Sequence, residues 1–275
     1  MNNAASIKAR LRNLAVKEQK PYDYIQTHYM IERLLYRLSI SRYANDFILK
    51  GGLLLHALFA EKARATRDID FLARFISNAP DNIKSIFTEV CSIEADDAVI
   101  YDPATLTTET ITEDADYQGV RVKLIGYLEK SRSLLQFDIG FGDIIVPKPE
   151  RMTYPSLLSM DETTLWVYSK ESIIAEKFQA MLYLAQANSR MKDFYDIYML
   201  ANTYDFDGRT LFEAVKQTTE RRETPMEEHP IVLDSSFALM KDKTVQWGAF
   251  CKRIHKDNLE FVEVLSVIRS LLSPI

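Results

Sequence analysis

Two carboxylates set two residues apart, in Ala65-Thr66-Arg67-Asp68-Ile69-Asp70-Phe71-Leu72, are the residues of this sequence best suited to chemistry. In an extended segment, residues two apart share a face. Asp68 and Asp70 then stand side by side while Ile69 and Phe71 face the other way. Asp is disfavoured in strands, and two like charges this close repel unless something neutralises them. A divalent cation is the usual remedy, because Mg²⁺ takes oxygens from one or two carboxylates and completes its shell with phosphates and water. A helix-length interval earlier stands Lys50-Gly51-Gly52, ahead of an apolar run. A glycine turn before a helix offers backbone N–H groups to phosphate. Together the two pieces point to metal-dependent chemistry on a nucleoside triphosphate (NTP).

Other residues extend this set. In Leu135-Gln136-Phe137-Asp138-Ile139-Gly140-Phe141, the aromatic and aliphatic residues share one face and Asp138 takes the other. Paired beside the Asp68/Asp70 strand, Asp138 supplies a third carboxylate for a two-metal phosphoryl-transfer site; the alternative is an exposed strand position. Asp143, past two glycines, reads as a turn residue. Thr66 alternates onto the face of Asp68, where its hydroxyl reaches a phosphate or a metal-bound water; Arg67 alternates away and reads as a surface or salt-bridged arginine. Ile173, Ile174, Lys177, Met181 and Leu184 form one helical stripe in which only Lys177 is charged. Such a lysine must snorkel or meet an anion, either a triphosphate or a neighbouring Asp or Glu. Asp193, in Ser189-Arg190-Met191-Lys192-Asp193-Phe194-Tyr195-Asp196-Ile197, falls in a first helical turn, where the helix dipole favours negative charge. The other reading has it bonding Lys177 or an attacking hydroxyl.

The elements that must hold these residues follow from periodicity. Residues 6–18 and 22–40 read as helices, 47–49 as a strand and 53–60 as a buried helix. A strand at 69–73 and a helix at 81–90 come next, then β-prone segments at 98–101, 106–111, 119–128 and 133–141. Pro147, Pro149 and Pro155 mark a turn-rich boundary. Helices follow at 169–186, 190–203, 208–222, 235–254 and 258–272. The fold class is α+β: N-terminal helices over 1–45, a mixed-sheet core over 46–155, and a helical C-terminal domain over 156–275 that completes the active-site cleft.

Four motifs in order now resemble a known family: Lys50-Gly51-Gly52-Leu53-Leu54-Leu55, Thr66-Arg67-Asp68-Ile69-Asp70, Ala175-Glu176-Lys177 and Arg190-Met191-Lys192-Asp193-Phe194-Tyr195-Asp196. They are similar to the AbiEii/AbiGii abortive-infection nucleotidyltransferase toxins of the polymerase-β-like nucleotidyltransferase superfamily, to which the MenT toxins are related. The resemblance covers about residues 20–205. It implies a mixed sheet flanked by helices with a helical C-terminal part, and a Mg²⁺-dependent transfer of nucleotides from an NTP to the 3′ acceptor end of tRNA, blocking translation. It also implies an antitoxin partner encoded nearby. By the same resemblance, Asp68, Asp70, Lys177 and Asp193 are catalytic. Lys50, Gly51, Gly52, Thr66 and Lys177 bind the nucleotide, and Asp68 and Asp70 hold metal. Asp138 joins the metal ligands on the strand reading alone. The wider superfamily carries Gly-Ser in the turn where this chain has Gly51-Gly52. A protein hydroxyl or a small molecule is the alternative acceptor, and a non-catalytic module binding NTP or antitoxin is a third reading.

Bulk properties agree with a cytoplasmic enzyme. The chain of 275 residues is 47% hydrophobic and 27% charged, as ordinary globular domains are. No apolar run reaches the roughly 18 residues of a membrane span, and residues 1–8 lack the pattern of an export signal. Two distant cysteines, Cys91 and Cys251, form no disulfide or zinc pattern and fit a reducing compartment. Four histidines show no ligand spacing and read as structural or surface residues. Net charge is −5, unevenly spread. Residues 1–64 hold 11 Lys/Arg against 5 Asp/Glu, and residues 81–116 hold 1 against 10. Such asymmetry marks either solvated faces or surfaces for partners: Lys8, Arg10, Arg12 and Arg42 for tRNA, the acidic segment for an antitoxin.

Overall fold

The computed structural model describes residues 3–113 and 117–274. The chain divides into two compact units, one of residues 1–142 with 150–167, the other of residues 143–149 with 168–275.

The first unit is built on a seven-stranded mixed sheet. Its strands are β1 (Phe47–Lys50), β2 (Ile69–Ala73), β3 (Val99–Glu113), β4 (Tyr117–Leu128), β5 (Ser131–Phe141), β6 (Glu150–Tyr154) and β7 (Thr163–Val167), in the order β3-β4-β5-β2-β1-β7-β6. β2 runs parallel to β5 and antiparallel to β1, which runs parallel to β7. The two expected segments 98–101 and 106–111 are one strand, broken in register between Asp102 and Thr107. β6 falls at the boundary that reads as turns and β7 in the unassigned stretch between Pro155 and the helices, so the sheet extends past residue 155 to Val167. The end of the acidic segment, residues 114–116, lies outside the described residues.

Helices α1 (Ala4–Glu18), α2 (Tyr22–Ile40), α3 (Gly51–Phe59) and α4 (Pro80–Cys91) complete this unit. α1 buries Ile7, Leu11 and Ala15, spaced by four, the repeat of one helical face. Pro21 caps α2, where its missing N–H costs nothing. One face of the sheet carries Phe47, Phe71 and Phe137 in mutual edge contact, and Phe47 and Phe137 meet Phe87 of α4 edge-on or tilted. α2 joins that face through Thr27, whose hydroxyl bonds Ser133 Oγ at 3.1 Å. Burial of Arg33 and Arg37 in α2 is balanced by Asp97, which accepts two bonds from Arg37. Asp97 is 1% exposed, so this member of the acidic segment belongs to the interior.

The second unit holds α5 (Lys170–Leu184), α6 (Met191–Ala201), α7 (Gly208–Arg221), α8 (Lys241–Arg253) and α9 (Phe261–Leu272). Ser169 caps α5 by accepting from Ser172 N, as hydroxyl residues do. Phe194, Phe237, Trp247, Phe250 and Phe261 form its aromatic core. α8 starts at Lys241 rather than 235 because Phe237–Leu239 closes a separate 3₁₀ turn. Among the described residues no helix is long and apolar enough to cross a membrane. Cys91 and Cys251 are buried free thiols.

Candidate active site

β1 runs into α3 without a loop, and the junction is shaped by what lies over it. Gly51 has φ +67°, a region that side chains with a Cβ enter at a cost. A Cβ there would lie 2.6 Å from Asp70 Cγ and collide with Oδ2. On Gly52 it would lie 2.9 Å from Thr66 Oγ1 and 3.3 Å from Arg64 Nη2. A carboxylate, a hydroxyl and a guanidinium thus gather over the first residues of α3. The N-cap, Lys50, makes no side-chain capping bond, and no acidic residue occupies the first turn. The N–H groups of that turn have no partner within the helix, and its end carries partial positive charge.

Thr66 is held from behind. Its carbonyl accepts from His28 Nε2 at 2.6 Å. Burial, then the neighbouring His56, pulls the His28 pKa down to about 4. The ring is therefore neutral at neutral pH, with its proton on Nε2. β2 begins only at Ile69, so the alternation expected from Thr66 onward is realised later. Asp70 is half-buried on the strand; Asp68 is exposed on the approach to it. Arg67 is exposed and pairs with Asp23 at 2.6 Å, as a salt-bridged surface arginine does.

Asp138 does stand beside Asp70: the two are register partners on parallel strands. Register also sets Lys50 against Asp70 and Arg121 against Asp138. Lys50, Asp70, Asp138 and Arg121 thus form a row across four strands, with the carboxylates inside and the cations outside. Both oxygens of Asp138 accept from Arg121, Oδ1 from Nε at 2.8 Å and Oδ2 from Nη2 at 2.7 Å. Its carboxylate is thus engaged by the Arg121 guanidinium while it stands next to Asp70. Among the described residues no three His, Cys, Asp or Glu side chains are grouped to hold a metal ion. Asp70, a hard oxygen donor over the start of α3, with Asp68 two residues before it in the chain, fits an ion that completes its shell from phosphate and water, as Mg²⁺ does. The two do not fit an ion held by protein alone.

In the second unit, Lys177 meets carboxylates of its own chain. Its Nζ donates to Asp193 Oδ1 at 2.9 Å and to Asp196 Oδ2 at 2.8 Å. Arg190 Nε donates to Asp193 Oδ2 at 2.6 Å. Asp193 is fully buried; burial raises its pKa, but Lys177 and Arg190 outweigh that and hold it below the usual carboxylate value. The expected Lys177–Asp193 bond is present, with Asp196 as a further partner. Asp143 is a buried partner of Arg222, at 3.1 Å.

Arg64, Arg121 and His28 are additions to the residues nominated from sequence. Arg64 stands at the same two-residue spacing in sequence as Thr66, Asp68 and Asp70, although 64–68 precedes the strand. His28 is a polar member of the apolar stripe of α2, as Lys177 is of α5. Arg121 carries no local signal, since its role depends on strand register. Three of the basic residues nominated for tRNA are engaged within the first unit. Lys8 pairs with Glu129 and Arg42 with Glu89, and Arg10 bonds the Leu158 carbonyl.

A family model described as the nucleotidyl transferase AbiEii toxin of a type IV toxin–antitoxin system matches residues 33–267. No curated protein matches the chain. Among solved structures, one described as a "putative nucleotidyltransferase from H. pylori" is 15% identical, with a TM-score of 0.51 over 90% of this chain and 92% of that one. It shows a shared fold. A second, JHP933 from Helicobacter pylori, is 16% identical with a TM-score of 0.44 over 90% of this chain and 97% of that one.

Proposed function

We propose, from the premise that this chain belongs to the AbiEii nucleotidyl transferase toxin family, that it transfers a nucleotide from an NTP to the 3′ acceptor end of tRNA in a Mg²⁺-dependent reaction. The observation that carries this reading is the packing of Asp70 and Thr66 on Gly51 and Gly52 at the start of α3. A helix N-terminus binds phosphate oxygens through its N–H groups. Arg64, over the same turn, adds positive charge for a polyanion. The turn lacks the serine of the wider superfamily, and the Thr66 hydroxyl stands where that side chain would project. Thr66 therefore takes over the hydroxyl contact to the triphosphate.

Asp68 and Asp70 are the residues that would hold Mg²⁺. When bound, the ion neutralises the triphosphate and lowers the pKa of an attacking hydroxyl. Asp70 is fixed by its place on β2 and by Gly51 beneath it. Asp68, exposed, is open to solvent-borne ligands. Asp138 supports Asp70 from the neighbouring strand, with Arg121 balancing its charge. Lys177 and Asp193 keep the roles the resemblance implies, in triphosphate binding and catalysis. The antitoxin is the partner implied by membership of a type IV family.

Labelled NTP, Mg²⁺ and total tRNA test the reading. The wild-type protein should label tRNA, and Asp68→Ala and Asp70→Ala should not. Label that appears on protein instead would move the acceptor to a protein hydroxyl.

A further inference from the structure

The geometry points to a second binding site, within the helical unit: a cleft that takes the phosphodiester backbone of single-stranded RNA. This inference rests on the proposed RNA acceptor. The cleft, about 400 Å³, lies between the start of α6 and one face of α8, a volume in the range of small-ligand pockets. Ser189, Arg190 and Lys192 line one side; Gln246, Phe250 and Arg253 line the other. The last three recur at the i, i+4, i+7 spacing of a single helical face.

Among the described residues that line this cleft none is acidic and three are basic. Arg190 is already paired with Asp193, which leaves Lys192 and Arg253 as the cations for a ligand. Asp193, in the first turn of α6, is fully buried, with both oxygens taken by Lys177 and Arg190. Its charge is neutralised and does not oppose an anion. The loop into α6 is fixed: Lys243 Nζ donates to the Asn188 carbonyl at 2.9 Å, and Asn188 Oδ1 accepts from Arg190 N at 2.7 Å. Gln246 Oε1 is buried and has no hydrogen-bond partner. A buried amide oxygen left in this state is costly, and rotation of the Gln246 amide toward the cleft would let a ligand donor satisfy it. Guanidinium and ammonium groups suit phosphate. A ribose 2′-hydroxyl or a base N–H suits an amide oxygen. One nucleotide of an RNA strand presents both. An acidic protein segment offers carboxylates to the cations and backbone N–H groups to the amide. RNA is chosen because it is the proposed acceptor, and competition with polyglutamate separates the two.

The test uses full-length protein carrying Asp70→Asn, so that binding is read without turnover. The probe is a 5′-fluorescent single-stranded RNA, followed by anisotropy across a salt series. Lys192→Ala with Arg253→Ala should weaken binding ~10-fold and flatten the salt dependence by about 0.7 per cation removed. Gln246→Ala should weaken binding with the salt slope unchanged. Lys192→Gln with Arg253→Gln, which keeps side-chain bulk, should repeat the first result. RNA affinity and slope equal to those of the parent would overturn the site. So would polyglutamate displacing RNA as effectively as unlabelled RNA does, since the cleft would then be one for acidic protein. Transfer of NTP label by the chain with Asp70 intact separates this inference from its premise. Labelled RNA with normal binding by the double variant removes the cleft and keeps the acceptor. Unlabelled RNA with lost binding does the reverse.

Discussion

The carboxylate of Asp70 occupies the space that a side chain at Gly51 would need. The glycine is thus required twice, by its φ of +67° and by its neighbour. Gly51→Ala should lose ~2 kcal/mol or more of stability, from left-handed backbone strain and displacement of Asp70. It should also lose nucleotide transfer. Denaturant unfolding and labelled-NTP transfer check both. Gly51→Ala with parental stability would show that Asp70 does not rest on this turn.

Arg121 balances Asp138 in the row that also contains Asp70. Arg121→Ala leaves two register-paired carboxylates without that guanidinium, and should cost about 1–2 kcal/mol at neutral pH. Asp138→Asn in the same chain should restore part of the loss, because the unbalanced charge is gone. A double-mutant cycle by urea unfolding measures the coupling. Additive effects would show that the two side chains do not act as a pair.

Lys177 holds Asp193 and Asp196 together beneath α6. Lys177→Ala removes the ammonium shared by two carboxylates of low exposure and leaves Asp193 to Arg190, and should cost about 3 kcal/mol. Asp193→Asn keeps a bonding side chain and leaves Asp196 to balance Lys177, so its loss should be smaller. The expected signature of catalysis at Asp193 is transfer falling much further than stability. A loss of activity that tracks the unfolded fraction would assign Asp193 to folding alone.

His28 couples pH to the Thr66 segment. Its native pKa of about 4 lies below its ordinary value of 6.5. The unfolded chain binds a proton there that the native chain does not accept. Stability from His28 is complete above pH 6.5, declines as pH falls toward 4, and then levels. The whole change is about 3 kcal/mol, and His56, also lowered by burial, adds to it in the same direction. His28→Gln keeps a donor for the Thr66 carbonyl and removes the titration. Unfolding free energies between pH 6.5 and 4.5 should slope less in this variant; an unchanged slope assigns the dependence to other groups.

Much of this arrangement is legible in the sequence because it depends on local signals. Phe47-Ile48-Leu49 running into Gly51-Gly52, and an apolar helix after it, specify the β1–α3 junction. Asp70 is legible because aspartate in a strand demands a reason. β6 and β7 are hidden by Pro147, Pro149 and Pro155, and by the weak alternation of Glu150-Arg151-Met152-Thr153-Tyr154 in a strand with a single neighbour. Asp138 shows the limit at the site. Its face was readable, but its partner Arg121 lies 17 residues away and meets it only through β4–β5 register. Lys177 shows the same limit. Its place in an apolar stripe demanded an anion, and only tertiary packing selects Asp193 and Asp196.

The most direct measurement is transfer of label from NTP to tRNA by Asp70→Asn, compared with wild type at matched folded fraction. Asparagine keeps the size of the side chain over Gly51 and removes the charge that would hold Mg²⁺. Expected is a rate at least ~100-fold lower with the melting transition little changed. Transfer at the wild-type rate by a folded Asp70→Asn protein would contradict an active site built on Asp70 and the Gly51-Gly52 turn.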